Sequence, residues 1–273
     1  DTQAVAQMRQ MGRPAGDCRV LTFDPFLTDT KFAGWMGDIL KTLEAAYQNP
    51  VDIEFTANFS RAGALRINLL QCRPLQMSNT EDAAMPAAAR DDRAVIRVEG
   101  NFMGGNVLQP IHRVIYVVPA AYAALFPQEK FGVARLIGKL NRIAADGGPT
   151  PTLLMGPGRW GTQSPEMGVP VKFSEINNIA AIAEISYRVG DMIPDLSFGT
   201  HFFHDLIETG IFYMAIYPEN DGVVFNEDWI MSLPNELESV SPAAGRLADV
   251  VRFVDTGPYR LMLAADIAAR KVI

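Results

Sequence analysis

The apolar positions of this chain repeat with two different periods, and the alternation between them predicts its elements. Over residues 31–48, Trp35, Met36, Ile39, Leu40, Leu43 and Tyr47 recur at three- and four-residue steps, which is one face of a helix. Asn49-Pro50 ends it, because the residue before a proline is pushed out of α backbone. Residues 51–59 and 64–70 are extended runs around Arg61-Ala62-Gly63, the pattern of a β-hairpin. Before the helix, residues 1–17 read as a helix tail broken by Gly12, Pro14 and Gly16, followed by a short strand over 19–23 and a loop containing Pro25.

After the hairpin the periodicity disappears. Residues 77–92 carry Ser, Asn, Thr, Glu, Asp, Pro and a run of Ala, so we expect a domain over 1–78, a linker over 79–92 and a second domain over 93–273. In the second domain, strands are expected at 95–98, 114–118, 152–155, 179–187, 211–217, 250–254 and 261–264. Helices are expected at 119–126, 129–145, 200–209 and 226–233, the first opened by Pro119. The predicted fold class is α/β in the mixed α+β sense, a small lobe followed by a mixed sheet with flanking helices.

Length and charge narrow the possible partners. At 273 residues the chain has room for one large or two small domains. A formal net charge of −7 gives no general attraction to phosphate backbones or anionic lipid, so neither nucleic acid nor a membrane is an expected partner. No apolar run reaches the roughly 18–20 residues that span a bilayer, and no secretory signal pattern opens the chain, which points to the cytoplasm. Cys18 and Cys72 lack metal-ligand spacing. The chain starts at Asp1 rather than Met, from which we expect a fragment of something longer.

The hairpin carries the strongest chemical signal. If its loop is even and centred between Ala62 and Gly63, paired positions sum to 125, which sets Glu54 opposite Gln71 and Asp52 opposite Arg73 on one face. Ile53, Phe55 and Ala57 then face the preceding helix. Two carboxylates beside an amide and a guanidinium suit a nucleotide–metal site, with hard oxygen ligands for Mg²⁺ and a planar fork for phosphate. The same four residues also suit a solvated cross-strand ion pair from Asp52 to Arg73, and spacing does not separate the two.

Val51-Asp52-Ile53-Glu54-Phe55 followed by Leu69-Leu70-Gln71-Cys72-Arg73-Pro74-Leu75 resembles the end of the ATP-binding, ATP-grasp-like domain of the phosphoenolpyruvate synthase and pyruvate phosphate dikinase family. The resemblance covers about residues 18–76. It implies Mg²⁺ with ATP as cofactor, Asp52 and Glu54 at the metal, Glu54 as its direct ligand, and Gln71 and Arg73 at the nucleotide or its phosphates. It further implies an upstream ATP-grasp half carrying the Lys and Arg phosphate ligands, and pyruvate or another acceptor in the intact protein. The chain departs from the family in a longer turn between the motifs and in Cys72 where a small residue is usual. No GxxxxGK[ST] loop replaces the upstream half, so the fragment alone is not expected to turn over ATP.

Gly156-Pro157-Gly158-Arg159-Trp160-Gly161 fits G-x-G-x-x-G after a strand, but Thr162 to Pro170 cannot open a helix for a pyrophosphate, which excludes a Rossmann site. Two readings stay open. Gly156, Gly158, Arg159 and Gly161 suit an anion-binding loop, with Trp160 as a stacking surface; they equally suit a tight turn whose Trp packs on the sheet. The run through Phe173 is similar to an uncharacterised C-terminal region of long phosphoenolpyruvate synthase-like proteins.

His201, His204 or Asp205, and Glu208 fall on one face of the predicted helix. A metal site, a structural pairing, and a phosphohistidine role for His201 are all compatible with that face. The last rests on Thr200, Glu208, Gly210 and Ile211 standing at distances similar to those of the family's phosphohistidine motif. Phe202, Phe203 and Ile207 depart from that motif. No G-x-S-x-G element or Cys–His proximity supports nucleophilic catalysis. The expected function is a fragment of an ATP-dependent phosphotransferase. The rival is a non-catalytic ligand-binding or scaffold module with a degenerate nucleotide-binding lobe.

Overall fold

The computed structural model describes residues 23–48, 50–74, 93–143, 150–188, 196–197 and 200–273. The helix tail expected over 1–17, the strand beginning at 19 and the linker over 79–92 lie outside the described residues. The chain divides into two compact units, Asp1–Leu75 and Gln76–Ile273, and its mixture of helices and sheets is that of a mixed α+β protein.

In the first unit, helix α1 spans Asp24–Thr28, helix α2 Phe32–Tyr47, strand β1 Val51–Phe59 and strand β2 Leu65–Pro74. The loop expected around Pro25 is instead α1, with the proline in its opening turn, where a missing N–H costs nothing. Gln48 ends α2 in the left-handed region, at φ 55°. The rings of Phe26 and Phe32 meet tilted at 4.3 Å, and they contact Phe59 and Phe55 at 5.8 and 5.6 Å. The helices therefore lie against the apolar face of the hairpin, as the alternation in β1 requires, and leave part of it exposed.

The turn is odd, not even. Gly63, at φ 78°, donates its N–H to Ser60 O at 2.9 Å, and Ser60 donates to Ala64 O at 2.9 Å. This is a three-residue loop with glycine in the left-handed position. Pairs near the turn, from Phe59↔Leu65 to Phe55↔Leu69, sum to 124 rather than 125. The register then shifts between Glu54 and Phe55, and the strands continue as Glu54↔Gln71, Ile53↔Cys72 and Asp52↔Arg73. The predicted partners are present because a bulge at Leu70 offsets the misplaced turn centre.

The second unit has three layers. Its central sheet joins β4 (Phe102–Met103), β6 (Arg113–Val117), β7 (Thr152–Pro157), β8 (Ala181–Ile185), β9 (Phe212–Ile216) and β11 (Val251–Asp255) in the order β11-β6-β7-β8-β9-β4. The four middle strands are parallel and the two edge strands antiparallel. Side chains alternate between two cores, Ile115 and Val117 to one, Val114 and Tyr116 to the other. On the first side lie helices α3 (Pro119–Ala123), α4 (Pro127–Ile143) and α5 (His201–Glu208). Thr200 caps α5 by accepting from Phe203 N.

On the other side lies an antiparallel sheet of β3 (Ile96–Glu99), β5 (Val107–Pro110), β10 (Val224–Phe225), β12 (Met262–Asp266) and β13 (Lys271–Val272), in the order β10-β3-β13-β12-β5. The strand expected over 261–264 belongs to this second sheet, not to the first. β4, β5, β10 and β13 are too short to leave a periodic trace in the sequence. Helices α6 (Glu227–Ser232) and α7 (Leu237–Val240) complete the unit.

The free edge of β11 is closed by its own chain. Asn235 accepts from Phe253 N at 2.9 Å and donates to Val251 O at 3.1 Å, while Glu236 N donates to Phe253 O at 2.8 Å.

Candidate functional site

The polar face of the hairpin is assembled by the bulge. Before it, Leu65, Ile67 and Leu69 of β2 share the face of Phe59, Ala57 and Phe55. Without an extra residue, Leu70 would oppose Glu54, and Gln71 and Arg73 would turn toward the phenylalanines, since a one-residue slip reverses every side chain beyond it. The bulge instead places Gln71 and Arg73 directly across from Glu54 and Asp52. Asp52 and Gln71 are half-buried, and Glu54 and Arg73 are exposed.

With the Gln71 amide turned so that its oxygen faces the guanidinium, that oxygen accepts from Arg73 Nε at 2.5 Å and Nη2 at 2.8 Å. The amide thus fixes the direction of the fork. Farther along the same face, Asn68 donates to Thr56 Oγ1 at 3.2 Å. Glu54 holds no hydrogen bond or ion pair among the described residues, so its oxygens face solvent. Asp52 and Glu54 are hard donors of the kind Mg²⁺ takes. Among the described residues no group of three or more His, Cys, Asp or Glu could hold a metal. An ion here would therefore complete its shell with phosphate oxygens and water, as Mg²⁺ ordinarily does.

The loop from Gly156 to Gly161 is closed on itself. Gly158 N donates to Ile185 O at 2.8 Å, Arg159 N to Met167 O at 2.8 Å, Trp160 N to Glu184 Oε1 at 2.9 Å and Gly161 N to Val169 O at 3.0 Å. These are the amides that an anion cradle would use, and the protein's own acceptors occupy them. Trp160 is fully buried in the helix-side core, so the stacking surface expected from it is absent. The glycines serve close packing. A Cβ on Gly158, at φ 64°, would lie 2.3 Å from Met167 O, and one on Gly156 would lie 2.8 Å from Val117 Cβ. Of the candidate anion contacts, Arg159 and Gly161 are partly accessible, and the Gly161 amide is already taken by Val169 O.

His201 opens α5, and its side chain lies outside the described residues. Phe203 and His204, both on this helix, meet edge to face at 6.0 Å.

Two charged residues of the second unit were not singled out by pattern. Glu184 is fully buried on β8. Its Oε1 accepts from Trp160 N and Ser197 Oγ, and its Oε2 from Ser197 N at 2.6 Å and Tyr213 Oη at 2.8 Å. Burial pushes its carboxyl pKa up, against the opposing pull of these four donors. The only trace in the sequence is a single acid within the apolar run 179–187. Lys130 is buried on the inward face of α4 while Phe131 beside it is 40% exposed, an inversion of the usual helix pattern.

Residues 20–93 match the sequence model of the pyruvate phosphate dikinase AMP/ATP-binding domain. Searches of curated proteins and of solved structures give no match. The similarity covers the hairpin, supports an ATP-binding segment of the phosphoenolpyruvate synthase and pyruvate phosphate dikinase kind, and does not reach beyond residue 93. Among the described residues, no helix is long and apolar enough to cross a membrane.

Proposed function

We propose that the first unit holds Mg²⁺–ATP as part of an ATP-dependent phosphotransferase of the phosphoenolpyruvate synthase type. Asp52 and Glu54 hold the metal, and Gln71 and Arg73 hold the phosphates. The observation that supports this most directly is the pairing of Asp52 with Arg73 and of Glu54 with Gln71 within the segment similar to an AMP/ATP-binding domain. Mg²⁺ would supply charge neutralisation of the triphosphate. The chain's own contribution is orientation, a guanidinium steered by Gln71 and two carboxylates on one face. In the longer protein we place an upstream ATP-grasp half and a pyruvate-like acceptor.

Calorimetry of the whole chain with Mg²⁺ and ATP tests this. Saturable, Mg²⁺-dependent binding is expected, weakened about tenfold or more in both Glu54→Ala and Arg73→Ala, the scale of one charge-assisted hydrogen bond. Variants that fold and bind as the parent does would overturn the assignment. The second reading, a non-catalytic module with a degenerate lobe, draws on the Arg73 guanidinium already being engaged by Gln71. It predicts no ATP binding in any of the three proteins.

A further inference from the structure

Helix α4 turns a basic stripe to solvent. Four- and three-residue steps from Phe131 reach Arg135, Lys139 and Arg142, and all four residues are exposed, so they form one line along the helix surface. Arg135 pairs with Glu175, whose other oxygen accepts from Lys172 N at 2.8 Å. Lys139 and Arg142 enter no ion pair and no side-chain hydrogen bond among the described residues. Like charges at these steps repel one another. Arg142 alone stands in the last turn, where a cation gains from the helix dipole, so that gain does not account for Lys139. On a chain of net charge −7 the run is a local reversal of sign.

The start of the same helix shows aromatic surface. Phe131 is 40% exposed while Lys130 beside it is buried, and Phe126, just before the helix, is 76% exposed, more than any other large apolar side chain among the described residues. The Phe126 backbone is pinned on both sides: its N–H donates to Glu129 Oε2 at 3.0 Å, and its carbonyl accepts from Glu129 N at 2.9 Å. Its ring is thus held in water by a capped helix end and not by a frayed one.

We propose that this face of α4 docks an acidic segment of another protein, with Lys139 and Arg142 taking its carboxylates as Arg135 takes Glu175, and Phe126 and Phe131 packing on an apolar side chain near one end. Charge complementarity selects the class of partner. A short peptide feels the cations within about one Debye length, roughly 8 Å at physiological salt. A nucleic acid or an anionic bilayer extends far past the stripe and meets the field of the acidic body. Aromatic and Arg side chains are also those enriched at protein interfaces. The surface is independent of the nucleotide reading of the first unit.

The test follows the anisotropy of a fluorescent random copolymer of glutamate and tyrosine as the whole chain is added, with polyglutamate for comparison. Saturable binding is expected, tighter for the copolymer than for polyglutamate. Lys139→Glu, and likewise Arg142→Glu, weakens both about fivefold, the scale of an exposed charge reversal. Arg93→Glu changes the net charge equally at an exposed position outside α4 and leaves binding as it was. Phe126→Ser combined with Phe131→Ser brings the copolymer down to the polyglutamate level. All these positions are exposed, and circular dichroism checks that each variant folds. No saturable copolymer binding, or an equal loss in Lys139→Glu and Arg93→Glu, would overturn the proposal. So would tighter binding of an oligothymidylate, or of phosphatidylserine–phosphatidylcholine vesicles, than of the copolymer.

Discussion

Glu184 shows how much one buried acid can organise. Its two oxygens take donors from the loop at Trp160, from Ser197 and from the neighbouring strand at Tyr213. In Glu184→Gln the amide nitrogen meets at least one donor head-on. We expect a loss of about 2–3 kcal/mol, the cost of leaving buried polar groups unsatisfied. The sign of the pH effect follows from linkage. A carboxyl whose folded pKa is raised binds its proton more tightly when folded, so its contribution is complete below the ordinary glutamate range and is lost as pH rises through the raised value. The stability gap between wild type and Glu184→Gln therefore narrows from acid toward neutral pH. Urea denaturation of both proteins across that range checks it, and a gap that widens with pH contradicts the assignment. Composition and period do not identify such a residue: a lone acid in an apolar run becomes intelligible only when Trp160, Ser197 and Tyr213 are brought to it.

At the level of elements, the hairpin was legible in its strands and partners but not in its turn. Alternation of Asp52, Ile53, Glu54 and Phe55 defines two faces, and any register must keep the apolar one on α2. The odd turn and the Leu70 bulge are separate one-residue displacements of opposite effect, and sequence spacing records only their sum. Deleting Leu70 separates them. It should leave the turn and the pairs from Phe55 to Phe59 in place and, with the extra residue gone, keep Gln71 and Arg73 across from Glu54 and Asp52 in a regular ladder. ATP affinity should then stay close to that of the parent and well above that of Arg73→Ala, with the circular dichroism of the strands retained. A loss as large as that of Arg73→Ala would show that keeping these four residues paired is not enough to form the binding surface. The loop after β7 was legible only as a choice between an anion cradle and a packed turn, since glycine serves both. The Gly158 and Gly168 backbones touch across the loop in an isolated antiparallel bridge, and that contact takes the amides a ligand would need.

Across the whole molecule, the two units differ in how much they bury. Among the described residues of the first, Phe32 alone is buried, while Leu70 and Phe59 are 63% and 57% exposed. The second encloses two continuous cores, one on each face of its central sheet. Sparse burial gives little stability to set against chain entropy, so unfolding should resolve into two transitions, the first unit melting first. Trp35 belongs to that unit and Trp160 to the other, so Trp35→Phe should remove the earlier transition from the fluorescence trace and leave it in calorimetry. A single coincident transition by both probes would show that the units unfold together. The existence of a second, all-antiparallel sheet was not legible, because β4, β5, β10 and β13 are only two to four residues long and no period can be read over so few positions.

The outer strands of those sheets also decide what the second unit cannot recruit. β4 and β10 offer two residues each, β5 ends in Pro110, and β11 has its outward groups satisfied by Asn235 and Glu236. Such margins give a foreign chain no template on which to extend the ladder, so self-association of this unit by runaway strand addition, the route to fibres, is blocked at every border.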